Sequence, residues 1–392
     1  MSKYYRADYL FNILLLIWCM SIPFKNAVYQ SSTALIIIFF LIYLIKNKDY
    51  KYFKELSFKF KDLVLGFSLI ILSMTVSNFI NDVSKTDAWR IELMFILRYA
   101  FIFIILLYFY SKHFFNKKTL FIFVFSSLFI QSFDGVYQSI LGYDFFKHNI
   151  GDLNRGLTAA TFNRNSFGLF MGIALIISLI YLSKITKVNI KLFFFFLSML
   201  MFAYTTLFSY SRAVWVALFL SLLISLIINF KSLKFKHMIF CISVTFTIIL
   251  IFQNIDSLSN RFDTLLAGNS SHRDIIWLKA IELIQLKPFF GFGLDTWQIY
   301  GLKQFAGLHN SILEILLFTG LFGLLAFFIM LFLVLKTIYI KKEWDLLLIL
   351  NYLFVVSQFD QSIFKGKTFL CVITIFMFYV YVYRIDNKKI KD

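Results

Sequence analysis

Four arginines and an asparagine stand at the ends of apolar runs, where their side chains could bind an anion. Arg155, Arg164 and Asn165 lie in the segment LNRGLTAATFNRNSFG, Arg212 ends the short turn FSYSR, and Arg273 opens a run with helical spacing. A guanidinium keeps its charge and binds phosphate through two parallel hydrogen bonds, so arginines that meet at one surface could hold a phosphate group. The alternative for any one of them is an interfacial anchor or an ion-pair partner.

His309 is the residue best suited to proton transfer. It and Asn310 precede the apolar run SILEILLFTGLFG, which places both in the first turn of a predicted helix. The backbone dipole at that end disfavours a positive charge on imidazole, so a neutral base is expected. Asn310 and Glu314 are four residues apart on one helical face and could orient His309 or line an acceptor path. The alternatives are a capping or interfacial histidine and a hydrogen bond that only packs helices.

The elements that carry these residues are predicted to lie in a membrane. Hydrophobic residues make up 60% of the 392 residues and charged residues 15%, against roughly half and a quarter in soluble domains. The net charge of +18 comes from basic residues placed between apolar runs, which indicates membrane orientation and not nucleic-acid binding. Cys19, Cys241 and Cys371 each lie within an apolar run, so neither a disulfide framework nor a metal cluster is expected.

Apolar runs of roughly 17 to 25 residues, the length that crosses a bilayer, recur about twelve times. They begin near residues 8, 33, 63, 93, 120, 165, 192, 213, 238, 309, 346 and 368. Loops rich in Lys and Arg alternate with loops poor in them, and most of the 39 basic residues lie on the side of both termini. The positive-inside rule makes that side cytoplasmic. We therefore predict an all-α, polytopic integral membrane protein with one membrane domain, residues 1–392.

Residues 253–308 form a long connection on the opposite side, between the ninth and tenth predicted spans. Connections of this length are commonly functional. Within it, the stretch SSHRDIIWLKAIELIQLKP begins with Ser and ends at Pro288, and apolar residues recur near helical spacing at Ile275, Leu278, Ile281 and Leu283. A helix that lies along the outer membrane surface is expected here.

The segment HNSILEILLFTGLFG carries a spaced motif. His309 and Asn310 are followed by nine residues and then by Gly320 and Gly323, which gives the pattern H-[NSQ]-x9-G-x-x-[GTY]. This pattern resembles that of bacterial O-antigen ligases. The segments SRAVWVAL, HRDIIWLKAIELIQLKPFFGFGL and TFNRNSFG resemble arginine and asparagine segments of the O-antigen ligase (WaaL) and O-antigen polymerase superfamily. The resemblance covers roughly residues 150–340, and both glycines are expected to allow close helix packing.

The resemblance implies a GT-C-like glycosyltransferase of the Gram-negative inner membrane, with its active site facing the periplasm. It implies transfer of a glycan from undecaprenyl diphosphate to lipid A–core oligosaccharide, by inversion, with no metal or other cofactor. His309 would be the base, and Arg212 and Arg273 would bind the diphosphate. Membrane lipid is an expected partner and nucleic acid is not. The residues that would bind substrate or support the site are Arg155, Arg164, Asn165, Asn310 and Glu314.

Three functions fit the sequence, and a ligase acting on lipid A–core is preferred. A polymerase that joins repeat units on the same carrier, or a related oligosaccharyltransferase, would use the same residues. A secondary transporter for an anion would share the helix count and the outward arginines. Transporters, however, usually show two matching halves with broken helices near the midplane, and no second half repeats the first in this sequence.

Overall fold

The computed structural model of the protein describes residues 2–386 except 25, 82, 84–85, 149, 151–154, 162, 185–189, 230–258, 261–262, 265–266, 268–271, 297–306 and 360–361. Every regular element among these residues is helical, and one isolated β-bridge joins Tyr143 to Ile150. The prediction of an all-α polytopic membrane protein is confirmed.

Fifteen α-helices are found in the described part of the chain. In chain order they are α1 (Ser2–Ser21), α2 (Asn26–Asn47), α3 (Tyr50–Lys59), α4 (Lys61–Ile80), α5 (Ala88–Phe95), α6 (Ile102–Ser111), α7 (Lys117–Leu141), α8 (Arg164–Lys184), α9 (Ile190–Phe208), α10 (Arg212–Asn229), α11 (Arg273–Leu286), α12 (Ser311–Lys341), α13 (Trp344–Ser357), α14 (Lys367–Tyr381) and α15 (Tyr383–Asp386). A π-helical segment, Ile96–Phe101, joins α5 to α6, and Ala159–Thr161 forms a 3-10 turn.

Seven helices of the described residues are long and apolar enough to cross a membrane. They are Ala27–Asn47, Lys61–Ile80, Ala88–Ser111, Lys117–Leu141, Arg164–Leu182, Ser311–Lys341 and Lys367–Asp386. Four shorter apolar helices, Ala7–Ser21, Phe193–Phe208, Arg212–Ser225 and Trp344–Ser357, also begin close to predicted spans. The span predicted near residue 238 lies outside the described residues, so the total of about twelve stays a prediction.

The chain divides into two compact units. The first unit comprises Met1–Val124, Arg273–Glu343 and Ser357–Asp392, and the second comprises Phe125–His272 and Trp344–Val356. The assignment of residues 1–392 to one membrane domain stays a prediction. Of the three cysteines, Cys19 and Cys371 are buried, as the sequence predicts, and Cys241 lies outside the described residues.

Aromatic packing joins the helices of the first unit near its basic ends. Phe11 of α1 lies 4.1 Å from Phe109 of α6, and Phe40 of α2 lies 5.2 Å from Tyr108, measured between ring centroids. The edge-to-face geometry of Phe40 and Tyr108 is a favourable arrangement of aromatic rings. Arg384 donates two hydrogen bonds to Asp62, of 2.7 and 2.6 Å, so the end of the chain is fixed against the start of α4.

The helix α12 is broken at Gly320, where the backbone has φ 65° and ψ −162°. This region of backbone conformation is essentially restricted to glycine. A Cβ at this position would lie 2.4 Å from the carbonyl carbon of Phe289, so another segment of backbone passes directly over the break. The prediction that Gly320 allows close packing is therefore correct, but what packs on it is a loop and not a helix.

The backbone groups freed at the break are paired with the segment 288–293. The N–H groups of Phe292 and Gly293 donate to the carbonyls of Leu317 and Phe318 at 2.8 and 3.0 Å. The N–H groups of Leu321 and Phe322 donate to Pro288 and Phe289 at 2.8 and 3.1 Å. Because an unpaired backbone group in hydrocarbon costs several kcal/mol, these four bonds make the break tolerable. We call this arrangement the Gly320 pairing.

Three polar side chains at the end of α4 stabilise the Gly320 pairing, those of Ser77, Asn78 and Asn81, the residue after the helix. Ser77 Oγ donates to the Phe318 carbonyl at 2.5 Å, and the Asn81 amide donates to the Gly291 carbonyl at 3.1 Å. Asn78 Oδ1 accepts from the Leu294 N–H at 2.9 Å, while its amide donates to Glu92 at 2.8 Å. Asn78 and Asn81 thus hold residues 291–294 in a buried position within the first unit, while Ser77 is bonded to α12.

In the second unit, α8, α9 and α10 pack together with α13. Tyr352 of α13 is fully buried and its hydroxyl donates to the Leu169 carbonyl of α8 at 3.1 Å. A Cβ on Gly172 would lie 2.2 Å from that hydroxyl, so glycine makes room for the tyrosine. Asn351 donates to Ser221 of α10 at 3.0 Å. These contacts fix the helices on which Arg164 and Arg212 lie.

Replacing Gly320 by alanine should destabilise the protein strongly. Alanine would add the cost of a glycine-only conformation, of order 1–3 kcal/mol, to a clash with the backbone of Phe289. The matched control is Gly142→Ala, since Gly142 also has a positive φ of 81° but open space around its Cα. We expect a lower melting temperature in detergent, or loss of the folded protein, for Gly320→Ala, and a much smaller fall for Gly142→Ala, which lacks the clash. Equal melting temperatures for the two variants would contradict this account of the break.

Candidate active site

His309 lies just outside α12 and not in its first turn. The helix begins at Ser311, and Asn310 is its N-cap, with Oδ1 accepting from the Leu313 N–H at 2.9 Å. Asparagine is among the best N-cap residues because its side chain satisfies a backbone donor that the helix leaves unpaired. The predicted placement in the first turn is thus wrong by two positions for His309 and by one for Asn310. His309 has a left-handed backbone, with φ 54°, and is half-buried.

Glu314 anchors the segment that leads into α14. Its carboxylate is buried and accepts from Ser362 Oγ at 2.6 Å and from the Ile363 N–H at 2.9 Å. The Ser362 hydroxyl also accepts from the Lys365 N–H at 2.9 Å, which closes a turn over the first residues of α12. Both carboxylate oxygens therefore hold residues 362–363 in place. This structural role is one of the alternatives that the sequence left open.

Two further contacts fix the beginning of α12. Ser311 Oγ donates to Ser357 Oγ at 2.9 Å and accepts from the Gln358 amide at 2.8 Å. Lys365, in the turn held by Glu314, forms an ion pair with Asp295, whose side chain is 7% exposed. The sequence analysis did not foresee this pair, because the two residues are 70 positions apart. Together these contacts tie three segments to the residues that follow His309.

Arg273 is the first residue of α11, and this helix is tied to the segment that ends at His309. The Trp277 indole N–H donates to the Leu308 carbonyl at 3.0 Å, one residue before His309. Ile276, Ala280 and Leu283 are buried. Arg273 itself is half-buried. Arg273 and His309 therefore belong to segments that are hydrogen-bonded to each other within the first unit.

The exposed side of α11 carries both apolar and charged residues. The apolar ones are Ile275, Leu278, Ile281 and Leu286, with exposed fractions between 43% and 72%, and Asp274, Lys279 and Glu282 are exposed among them. The position of this helix on the outer membrane surface stays a prediction. The predicted helix between Ser270 and Pro288 is itself confirmed for the residues described, Arg273–Leu286.

Arg212 is the first residue of α10 and is half-buried in the second unit. Its Nη1 donates to the Thr264 carbonyl at 3.2 Å. The turn before it is tight, since Tyr210 has a φ of 53° and the Ser211 side chain is 2% exposed. The short turn predicted from FSYSR is therefore present, and the arginine stands at a helix N-terminus, where the backbone dipole favours an anion.

Arg155, Arg164 and Asn165 lie beside the same turn of the second unit. Arg164 Nη1 donates to the Arg155 carbonyl at 2.8 Å. The Leu157 N–H donates to the Phe208 carbonyl at 2.8 Å, which lays this loop against the end of α9. Asn165 is half-buried in the first turn of α8, and its N–H donates to Asn163 Oδ1 at 2.8 Å.

Two buried polar residues of α7, Asp134 and Gln138, hold the connection between α7 and α8. Gln138 Oε1 accepts from the N–H groups of Thr158 and Ala159, each at 2.9 Å. Asp134, one helical turn earlier, accepts from the Phe145 N–H at 2.7 Å. Their signal in the sequence is a spacing of four within an apolar span, which places both on one face.

The structure therefore groups the predicted residues by unit. His309, Asn310, Glu314 and Arg273 lie in the first unit, and Arg155, Arg164, Asn165 and Arg212 in the second. Within the described residues, no group of three or more His, Cys, Asp or Glu side chains is placed to hold a metal ion.

A family model described as O-antigen ligase, Wzy_C, matches residues 196–328. The match begins in α9, includes Arg212, Arg273 and His309, and ends in α12 beyond Gly320 and Gly323. No curated protein matches the chain. Over residues 196–328 the chain is similar to the O-antigen ligase family, which confirms its resemblance to the O-antigen ligase and polymerase superfamily.

Proposed function

We propose that the protein is an O-antigen ligase, which transfers a glycan from undecaprenyl diphosphate to lipid A–core oligosaccharide. The observation that carries the proposal is the arrangement of the first unit around the matched motif. The helix that begins with Arg273 is bonded to the segment ending at His309 through Trp277, and the segment that follows this helix is bonded to α12 at Gly320. A base and a phosphate-binding group are thereby carried on connected segments.

His309 acts as the base in this proposal. The acceptor hydroxyl oxygen attacks the anomeric carbon of the glycan, and its proton passes to the imidazole. The bond from that carbon to the diphosphate oxygen breaks, and the diphosphate leaves with the electron pair, so configuration is inverted. A base within hydrogen-bond reach of the hydroxyl typically contributes a factor of about 10² to 10⁴ in rate.

Arg212 and Arg273 bind the diphosphate and stabilise the charge that it gains as the bond breaks. Fixed positive groups aimed at developing charge are usually the largest contribution to such catalysis. Arg155, Arg164 and Asn165 are assigned to substrate binding near Arg212. Asn310 and Glu314 are assigned supporting roles, because their side chains are bonded to protein groups at the start of α12.

The membrane orientation in this proposal follows the loop charges. The chain lies in the inner membrane of a Gram-negative bacterium with both termini in the cytoplasm, and the active site faces the periplasm. The basic ends of α2, α4 and α12 then meet the cytoplasmic surface. An anion transporter is disfavoured, although α12 is broken, because the four backbone groups named in the Gly320 pairing are bonded to protein and not directed at an ion.

Deleting the gene should separate a ligase from a polymerase, the second reading of the same family. A ligase mutant should accumulate long glycans on the lipid carrier and show none on lipid A in a lipopolysaccharide gel. A polymerase mutant would retain a core that bears one repeat unit. If the mutant shows the second pattern and the wild-type gene restores normal lipopolysaccharide, the protein is a polymerase and lipid A–core is not its acceptor.

Arg212→Lys and Arg273→Lys should each restore only part of the activity that the alanine variants lose. Lysine keeps the charge but lacks the planar fork that forms two hydrogen bonds with phosphate. Arg90→Lys is the matched control, since Arg90 is exposed and pairs only locally with Asp87. The measurement is glycan transfer by purified protein from a synthetic donor. Full activity of both lysine variants would exclude bidentate binding of the diphosphate.

His309→Ala should lower the rate of transfer by about 10² to 10⁴ and leave donor binding largely intact. The wild-type rate should also fall on acidification, because a protonated imidazole cannot accept the acceptor proton. His113→Ala, which changes a histidine next to α7 on the basic side, should transfer glycan normally. Turnover by His309→Ala near that of the wild type, or wild-type activity that vanishes with EDTA, would refute this mechanism.

A further inference from the structure

An apolar groove runs along the first unit between α3, α4, the π-helical segment and α6. Its volume is about 180 Å³. The side chains that form its walls include Leu56, Phe60, Leu63, Phe67, Ala100 and Phe103. It opens past Val64 and Ser68, which are exposed, so it is accessible from the outside of the unit.

The apolar lining of the groove favours binding of a hydrocarbon chain. Two of its fourteen lining residues are polar, Ser57 and Ser68. Ser57 lies on α3, and Ser68 lies near the opening. Apolar cavities of roughly 150 Å³ stay dry and take up apolar molecules when these can enter. Water would find few hydrogen-bond partners in the groove, whereas an alkyl chain would bury apolar surface there.

The length of the groove corresponds to one leaflet. Its residues on α4 extend from Phe60 to Ile71, a rise of roughly 16 Å at 1.5 Å per residue. Half of the hydrocarbon core of a bilayer is about 15 Å. A single acyl chain of the leaflet at the basic end of α4 fits this length, whereas a polyprenyl chain is much longer.

Basic residues lie on α3 and at the start of α4, next to one end of the groove, and we call this end its basic entrance. The short helix α3 is amphipathic, with Leu56 buried against the groove and Lys51 and Lys54 exposed. Lys61 is exposed at the start of α4, and Phe58, which is 70% exposed, is placed to enter the lipid boundary. Lysines on such a helix attract anionic lipid, each by about 1 kcal/mol near the surface.

We propose that this groove binds one acyl chain of an anionic glycerophospholipid from the leaflet at the basic ends of the helices. The lysines Lys51, Lys54 and Lys61 attract its phosphate headgroup. The lipid holds α3 against α4 and α6, and it is a structural partner distinct from the lipid-linked glycan. The inference is independent of the proposed function, because it concerns other residues and is measured by binding alone.

The test uses full-length protein, stripped of lipid in detergent and then exposed to phosphatidylglycerol or phosphatidylethanolamine of the same chain length. Native mass spectrometry counts the lipid retained. We expect at least tenfold more phosphatidylglycerol retained than phosphatidylethanolamine. Equal retention of the two lipids, or displacement of phosphatidylglycerol from the groove by a polyprenyl phosphate at equal concentration, would overturn the proposal.

Two kinds of variant locate the binding. Ser68→Trp fills the groove from its opening, and Ala100→Leu fills it from inside in case the first variant folds poorly. Leu72→Trp, at an exposed position of α4 that does not line the groove, is the control for bulk. Replacing Lys51, Lys54 and Lys61 by Gln removes the basic entrance, and the same change at Lys336, Lys341 and Lys342 is the control for charge.

The filling and entrance variants should each lose at least tenfold in phosphatidylglycerol retention, and both controls should retain it. Loss of retention in the controls as well would show nonspecific binding and contradict the proposal. Unchanged retention in a folded filling variant would contradict it too, because the lipid would then lie elsewhere.

Discussion

A glycine-only break in the helix that follows His309 leaves backbone groups that must be paired within the membrane. The segment 288–293 supplies the partners, two donors for the carbonyls of Leu317 and Phe318 and two acceptors for the N–H groups of Leu321 and Phe322. Because lipid offers no alternative hydrogen bonds, separating this segment from α12 would expose all of these groups at once. The Gly320 pairing therefore fixes where α11 lies relative to α12 in the first unit.

This constraint gives the motif around His309 a physical meaning. The histidine needs a fixed position, and the N-cap at Asn310, the carboxylate of Glu314 and the bond from Trp277 to Leu308 each hold a segment next to it. The glycine eleven positions later needs no substrate contact to be essential, since it carries the break on which the outer helix depends. Groups that must bind a charged donor are more effective when their supporting chain is rigid, because little reorganisation is then needed during reaction.

Hydropathy predicted the helices well, because spans must be long and apolar whatever they pack against. Arg212 and Arg273 were correctly placed at helix starts, and the helix Arg273–Leu286 was found from its period, whereas the orientation drawn from loop charge stays a prediction. The break at Gly320 was not predicted, since an apolar run containing glycine reads as a continuous span. The pair of Lys365 with Asp295 and the loop contacts of Gln138 also escaped prediction, because a local pattern can place a polar side chain on a helix face but does not show which distant group it contacts.

The position of α11 against α12 can be measured directly by a disulfide across the Gly320 pairing. Phe290 and Phe322 lie on its two sides, with ring centroids 6.2 Å apart, and the Phe322 N–H donates to the carbonyl of the neighbouring Phe289 at 3.1 Å, so the two backbones are close. Phe290→Cys with Phe322→Cys, in a protein lacking the native cysteines, should therefore cross-link under mild oxidation in lipid. The cross-linked protein should transfer glycan as fast as its reduced form, because the bond only fixes an arrangement that already exists. Failure to cross-link, or activity that oxidation abolishes and reduction restores, would show that the two segments are apart in the working protein.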